Sequence, residues 1–159
     1  MSKKAIYLVV ALVVIIAIVV GGYFFITNNN QQASNIDLQQ LNATISSKQP
    51  FNEMATMDIT KEILTSYYEI NAEDVEEVIG KMPAMNVHAS MYLVIKVKEG
   101  SVDVVKEKVN QYAIAQEGVW ERYLPEQYDL VKDRKLGTNG NYVYLFISEN
   151  SSELEALMK

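Results

Sequence analysis

Residue types that carry catalysis are scarce in this chain. His88 is the single histidine, and there is no cysteine. Thiol nucleophiles and thiolate metal sites are therefore excluded. A Ser-His-acid relay or a histidine metal site would have to be built on His88 alone, and no catalytic, zinc or phosphate-loop motif accompanies it. A lone histidine just before a strand is usually structural or exposed, so the sequence predicts no catalytic residue, no metal site and no cofactor.

Carboxylates offer a second possible chemistry, and the densest group of them lies between positions 69 and 77. Its members are Glu69, Glu73, Asp74, Glu76 and Glu77. A calcium loop needs alternating ligands and a glycine at a fixed place, which this stretch lacks, so a solvated face is the simpler interpretation. Carboxylate pairs for glycoside hydrolysis are conceivable elsewhere, but nothing in one dimension selects a pair at the required separation.

Aromatic residues indicate binding rather than a reaction. Trp120, Tyr123 and Tyr128 bracket charged and amide side chains, an arrangement that can stack on sugars or grip a peptide. Aromatic residues at helical spacing more often anchor a helix on a sheet, which is the competing interpretation. Tyr142 and Tyr144 alternate with aliphatic residues and share the strand face opposite the core. They form either an exposed contact patch or part of a covered face. These five residues are the predicted ligand-binding set.

Helical periodicity predicts several elements that position these residues. A first amphipathic helix is predicted from Asp37, with Asp37 or Asn35 as its N-cap, and a second short helix is predicted with Asp58 as its cap. The longest helix begins after Ser101 and ends at Pro125, and a short helix closes the chain. Trp120 and Tyr123 therefore lie near the end of the longest helix.

Strand patterns complete the predicted domain. Residues 91–97 and 142–148 are rich in β-branched and aromatic residues and are predicted to be strands, with an Asn-Gly hairpin turn at 139–140. Residues 71–81 suit either a helix face or an edge strand, and we favour a helical turn that ends at the glycine of this stretch. The order of elements predicts an α+β domain, in which an antiparallel sheet carries helices packed on one face.

An uncharged stretch, residues 5–26, is preceded by two lysines. A helix of this length reaches about 33 Å and can cross a hydrocarbon core of about 30 Å once. The run exceeds the apolar centre of a cleaved signal peptide, so an uncleaved transmembrane signal anchor is expected. Because basic residues mark the cytoplasmic flank, residues 1–4 are predicted to be a cytoplasmic tail, 27–36 a polar linker, and 37–159 an extracytoplasmic α+β domain at the cell membrane.

Charge limits the partners of this domain. Without Lys3 and Lys4, 12 basic residues remain against 20 acidic ones, a net charge of −8. Nucleic acid is not an expected partner, since its binding depends on Lys and Arg that release counterions from phosphates. The expected partners are the lipid bilayer, through residues 5–26, and an envelope component or another membrane protein.

Four segments between Tyr67 and Ser148 have a distinctive sequence and follow one another at distinctive spacing. They are YYEINAEDVEEVIGKMPAMNVHA (67–89), YLVIKVKEGSVDVVKE (92–107), VWERYLPEQYDLVKD (119–133) and NGNYVYLFIS (139–148). This stretch resembles a domain-of-unknown-function family of exported bacterial proteins, mostly from Gram-positive Firmicutes. The resemblance implies an extracytoplasmic, membrane-attached domain and brings no activity, ligand or catalytic residue. Many members look like lipoproteins with a cysteine at the membrane boundary, which this chain lacks.

The sequence therefore favours a membrane-anchored extracytoplasmic protein that is a non-catalytic binding or interaction domain at the cell envelope. An envelope hydrolase or transferase that uses carboxylates is the alternative, and it requires acidic residues that converge in a cleft. A structural subunit that docks through Gly21 and Gly22 has less support, because the stretch lacks further spaced small residues.

Overall fold

The computed structural model describes residues 35–159. In this part of the chain, a five-stranded antiparallel sheet has the strand order β1-β2-β3-β5-β4. The strands are β1 (Thr56–Asp58), β2 (Val75–Pro83), β3 (Met91–Val97), β4 (Lys135–Asn139) and β5 (Tyr142–Ile147). The helices are α1 (Leu38–Ser46), α2 (Lys61–Tyr67), α3 (Val102–Tyr123), α4 (Pro125–Lys132) and α5 (Ser151–Ala156), with a 3-10 turn at Ala72–Asp74.

Several local predictions are confirmed. Asp37 caps α1, where its carboxylate accepts the Gln40 N–H at 3.0 Å. The longest helix ends at Tyr123, and Pro125 opens α4, whose first position does not need an N–H donor. The predicted hairpin between β4 and β5 is present, but its turn lies one residue later than predicted. Asn139 ends β4 and pairs with Tyr142, so the turn residues are Gly140, with φ +53°, and Asn141.

The favoured prediction of a helical turn within residues 71–81 is wrong beyond its first residues. After the 3-10 turn, the chain runs as β2 from Val75 to Pro83 and pairs with both β1 and β3. Gly80 lies inside this strand because the backbones approach closely there: a Cβ at Gly80 would lie 2.6 Å from the Tyr92 carbonyl oxygen. The glycine is therefore required by strand pairing and does not end a helix.

Helices cover both faces of the sheet, so the prediction of helices on one face is wrong. On one face, Leu93, Ile95 and alternate residues of β5 form a core with α2, α3 and α4. On the other, Tyr92 and Val94 of β3 form a second core with α1 and α5. Every residue of β5 is buried, as expected for a central strand between two helical layers.

The predicted architecture placed one transmembrane helix before the domain. Within residues 35–159, no helix has both the length and the apolar character needed to cross a membrane. Residues 5–26, the predicted span, lie outside the described part of the chain. The fold prediction is therefore corrected to an α+β domain whose five-stranded antiparallel sheet has helices on both faces.

Candidate functional site

A polar cleft of about 530 Å³ lies at one end of the sheet, where β3 begins and β5 ends. Its walls come from the turn after α1, the loop before β3, helix α4 and the segment after β5. The lining residues are Gln49, Pro50, Glu53, His88, Ser90, Gln127, Leu130, Glu149 and Asn150.

The pairing of the two central strands brings these segments together. Met91, the first residue of β3, faces Ile147, the last residue of β5. Because the strands are antiparallel, the residues before β3 and those after β5 meet at the same sheet end. Ser90 is therefore buried at this end, while the nearby side chains of His88 and Glu149 are exposed to solvent at the cleft.

Hydrogen bonds fix the cleft walls to one another. The Ala89 N–H donates to Gln127 Oε1 at 2.7 Å, which ties the loop before β3 to α4. Asn150 Nδ2 donates to the Gln49 carbonyl oxygen at 3.1 Å, which ties the segment after β5 to the turn after α1. Ser148 Oγ in turn donates to Asn150 Oδ1 at 2.6 Å. The cleft walls are therefore joined by hydrogen bonds between distant parts of the chain.

The ionisable side chains of the cleft are two carboxylates and one imidazole. They belong to Glu53, Glu149 and His88, and among the described residues that line the cleft there is no Lys or Arg. Lys48 lies next to this region in sequence, but its ammonium pairs with Glu153 at 2.6 Å. The Gln49 amide donates to the Glu53 carboxylate at the rim. A cleft lined by one sign of charge attracts ligands of the opposite sign, here cations.

The arrangement can hold a cation and accept hydrogen bonds from it. Carboxylate and amide oxygens are acceptors, and the Ser90 hydroxyl and the His88 ring can each donate or accept. Within residues 35–159, no group of three His, Cys, Asp or Glu side chains is placed to hold a metal ion. The lining offers hydrogen-bond donors and acceptors to a polar ligand that carries positive charge.

The predicted aromatic site residues of the long helix lie elsewhere. Trp120 is buried in the core beneath α3, with its ring centroid 5.9 Å from that of Tyr123. Tyr123 is 59% exposed at the end of this helix. Tyr128 is half-buried against the same core, and the Lys132 ammonium lies 5.1 Å from its ring centroid. The structure thus places Trp120 beside Tyr123, with Trp120 facing the protein interior.

The two predicted strand tyrosines belong to a covered face. Tyr142 and Tyr144 are both buried in the second core. The Tyr142 hydroxyl donates to the Ile36 carbonyl oxygen at 3.4 Å, and the Tyr144 hydroxyl donates to Glu155 Oε1 at 3.1 Å. Burial raises the pKa of Tyr144 to about 12. Of the two alternatives for this pair, the structure has the covered one, and the five predicted aromatic residues are absent from the described cleft lining.

Four of the five acidic residues between positions 69 and 77 have separate partners. Glu69 binds Lys108 and Glu76 binds Lys96, each at 3.0 Å, and Glu77 accepts from the Gln39 amide at 2.9 Å. Asp74 Oδ1 accepts from the Ser101 hydroxyl at 2.8 Å. This stretch is therefore a paired, solvated surface rather than one converging site.

The cleft is not predicted by the sequence motifs, although one pattern in the sequence points toward it. His88 and Ser90 directly precede one predicted strand, and Ser148, Glu149 and Asn150 follow another. If those strands pair antiparallel, these polar groups must meet at one sheet end. Gln49 and Glu53 could not be placed in this way, because they reach the cleft through the packing of α1 on the second face.

Comparison with known proteins gives one match. A family model described as "Domain of unknown function (DUF4358)" matches residues 50–148. No curated protein and no solved structure matches the chain. The matched range contains most of the cleft lining, including Glu53 and His88, and ends just before Glu149.

Proposed function

The chain belongs to the DUF4358 family of domains of unknown function, and we propose that it is a non-catalytic binding domain for a small, positively charged organic ligand. The observation that carries this proposal is the lining of the polar cleft. Glu53, Glu149 and His88 line it together with amides and a hydroxyl, and among the described lining residues there is no Lys or Arg. A ligand with amino groups satisfies both the charge and the hydrogen-bond acceptors.

The size of the cleft limits the ligand to a small molecule or a few residues of a peptide. Its volume of about 530 Å³ falls within the range of roughly 300–1,000 Å³ that is typical of small-molecule pockets. The lining carries two separate carboxylates, so a ligand with two amino groups can meet both. Fixed walls favour binding, because little ordering of the protein is needed when the ligand enters.

A cell-envelope location stays a prediction from the sequence. Its basis is the composition of residues 1–26, which lie outside the described part of the chain. The cleft is formed entirely by residues within 35–159, so the proposed ligand class does not depend on that location.

A carboxylate-based hydrolase or transferase is a second candidate, because the cleft brings an imidazole and two carboxylates to one cavity. Such groups can act as a general acid and base when they lie on either side of a reacting bond. Binding of a ligand that is recovered unchanged favours the binding domain, whereas conversion of the bound ligand favours the enzyme.

The proposal is tested by calorimetric titration of the purified full-length chain with spermidine, a small polyamine. Glutarate, a small dianion, serves as the charge-reversed control. We expect saturable binding of spermidine, weakened by added salt because exposed charges are screened, and no binding of glutarate. Binding of glutarate at least as tight as that of spermidine would contradict the proposal.

A further inference from the structure

A second, smaller cleft lies between the end of α2 and the middle of α3, with a volume of about 190 Å³. It shares no described lining residue with the polar cleft at the sheet end. Its lining residues are Tyr67, Tyr68, Glu69, Lys108, Gln111, Tyr112 and Ala115. Three of these seven are tyrosines, so the cleft is aromatic.

The three tyrosines have different surroundings. Tyr68 is buried and stacks on Tyr112, with ring centroids 4.0 Å apart. Tyr67, by contrast, is 65% exposed, although it lines the same cleft. Its ring adds little to the core and offers an aromatic surface to solvent. The small side chain of Ala115 leaves space on the α3 side of the cleft.

Polar groups of balanced charge stand beside these rings. Glu69 Oε2 and Lys108 Nζ form an ion pair at 3.0 Å, and Gln111 adds an amide. Together they supply hydrogen-bond donors and acceptors without a net charge. A sugar ring has one or two faces of C–H groups and an edge of hydroxyls, so it matches an exposed aromatic ring next to such groups.

The backbone at Glu69 turns the chain out of α2. Glu69 has φ +54°, a left-handed conformation in the position just after the end of α2, where glycine is usual. A side chain in this conformation costs free energy. The ion pair with Lys108 offsets little of that cost, since the Glu69 side chain is 78% exposed. The Glu69 carboxylate therefore remains accessible to solvent at the edge of the cleft.

We propose that this cleft binds one pyranose ring of a neutral saccharide. The C–H face of the ring packs on Tyr67, and ring hydroxyls donate to Glu69 and accept from Lys108 or Gln111. This site is independent of the cation-binding cleft, because none of its residues lines that cleft in the described structure.

Saturation-transfer NMR on the full-length chain tests this site, with cellobiose and N,N′-diacetylchitobiose as the added saccharides. We expect transfer to the ring protons of at least one of them, with a Kd of about 1–10 mM, as suits a ligand of this size. Tyr67→Ala should weaken binding about tenfold, and Tyr67→Phe, which keeps the ring, should change it less than about threefold.

Tyr123→Ala is the matched control, since Tyr123 is 59% exposed and lies outside the lining of this cleft. Binding should be unchanged in that variant. The inference is overturned if neither saccharide shows transfer to the wild-type chain, if Tyr67→Ala binds as well as the wild type, or if Tyr123→Ala loses binding equally.

Discussion

Met91 and Ile147 are cross-strand partners at one end of the two central strands. This pair determines where the polar cleft forms, because it brings together the segments that enter β3 and leave β5. His88 and Glu149 reach the same cavity for this reason, although they are far apart in the chain. The sheet register thus creates a site from residues that have no local relationship.

Adding a methyl group at Gly80 should destabilise the fold. A Cβ there would lie 2.6 Å from the Tyr92 carbonyl oxygen and 3.2 Å from the Leu93 Cα, both backbone atoms of the neighbouring strand. We expect Gly80→Ala to lower the free energy of unfolding by about 2 kcal/mol, since β2 and β3 must shift apart. Urea unfolding followed by circular dichroism measures the change.

Gly118→Ala is the matched control for Gly80→Ala. Gly118 lies inside α3, and an added Cβ there would meet nothing within 4 Å. Alanine should therefore raise the free energy of unfolding by about 0.5–1 kcal/mol through its higher helix propensity. Equal effects of the two substitutions would refute the close strand approach at Gly80.

Stability should fall at alkaline pH because buried tyrosines, Tyr92 and Tyr144 among them, ionise less readily in the folded state. Burial raises the pKa of Tyr92 and of Tyr144 to about 12, from an ordinary value of 10.0. Below pH 10 both phenols are neutral in the folded and unfolded states, and above it only the unfolded state ionises readily. We expect the free energy of unfolding to fall between about pH 10 and 12, by roughly 1–3 kcal/mol per tyrosine.

The measurement for this prediction is urea unfolding at about pH 9 and about pH 11.5. Tyr144→Phe should reduce the difference between the two values, since phenylalanine does not ionise. Tyr123→Phe, at an exposed position, should leave the difference as it is in the wild type. If Tyr144→Phe retains the full pH dependence, the buried hydroxyl near Glu155 is not its source.

Glu69→Gly should weaken saccharide binding without a large loss of folding stability. Glycine removes the strain at φ +54°, a gain of up to about 1 kcal/mol. The exposed ion pair with Lys108 that is lost is worth at most about 1 kcal/mol. We expect the free energy of unfolding to change by no more than about 1 kcal/mol in either direction, while the saturation-transfer response weakens.

Thermal and urea unfolding of Glu69→Gly, run beside the NMR titration, check both parts of this expectation. A loss of more than about 1 kcal/mol would mean that the ion pair is a structural element. The Glu69 carboxylate would then have a structural role that does not require a ligand.

The parts of the fold that depend on local chemistry could be predicted from the sequence. The Asp37 cap, the long helix ending before Pro125 and the hairpin between β4 and β5 each rely on residues within a few positions of one another. Only the exact turn residues of the hairpin differ from the prediction, by one position. The family resemblance over residues 67–148 is likewise confirmed as a domain of unknown function, matched at 50–148.

Features that depend on distant partners were predicted less well. Tyr142 and Tyr144 look half-polar in sequence, yet a second helical layer buries them, and this layer forms only when α1 and α5 pack on the sheet. Residues 75–83 pair as a strand although their local pattern also suits a helix face. The cleft has the same origin, since three segments far apart in sequence supply its carboxylates and imidazole.

The proposed function is tested most directly by the affinity of spermidine for variants in which carboxylates are replaced by neutral amides. Calorimetry compares the wild-type chain with two double variants. Glu53→Gln/Glu149→Gln removes the two carboxylates of the cleft, and Glu99→Gln/Glu121→Gln removes two exposed carboxylates outside the cleft. We predict that the cleft variant binds about tenfold more weakly, since each exposed carboxylate contributes up to about 1 kcal/mol, and that the other variant matches the wild type. Equal affinities of the two variants would contradict a cation-binding cleft.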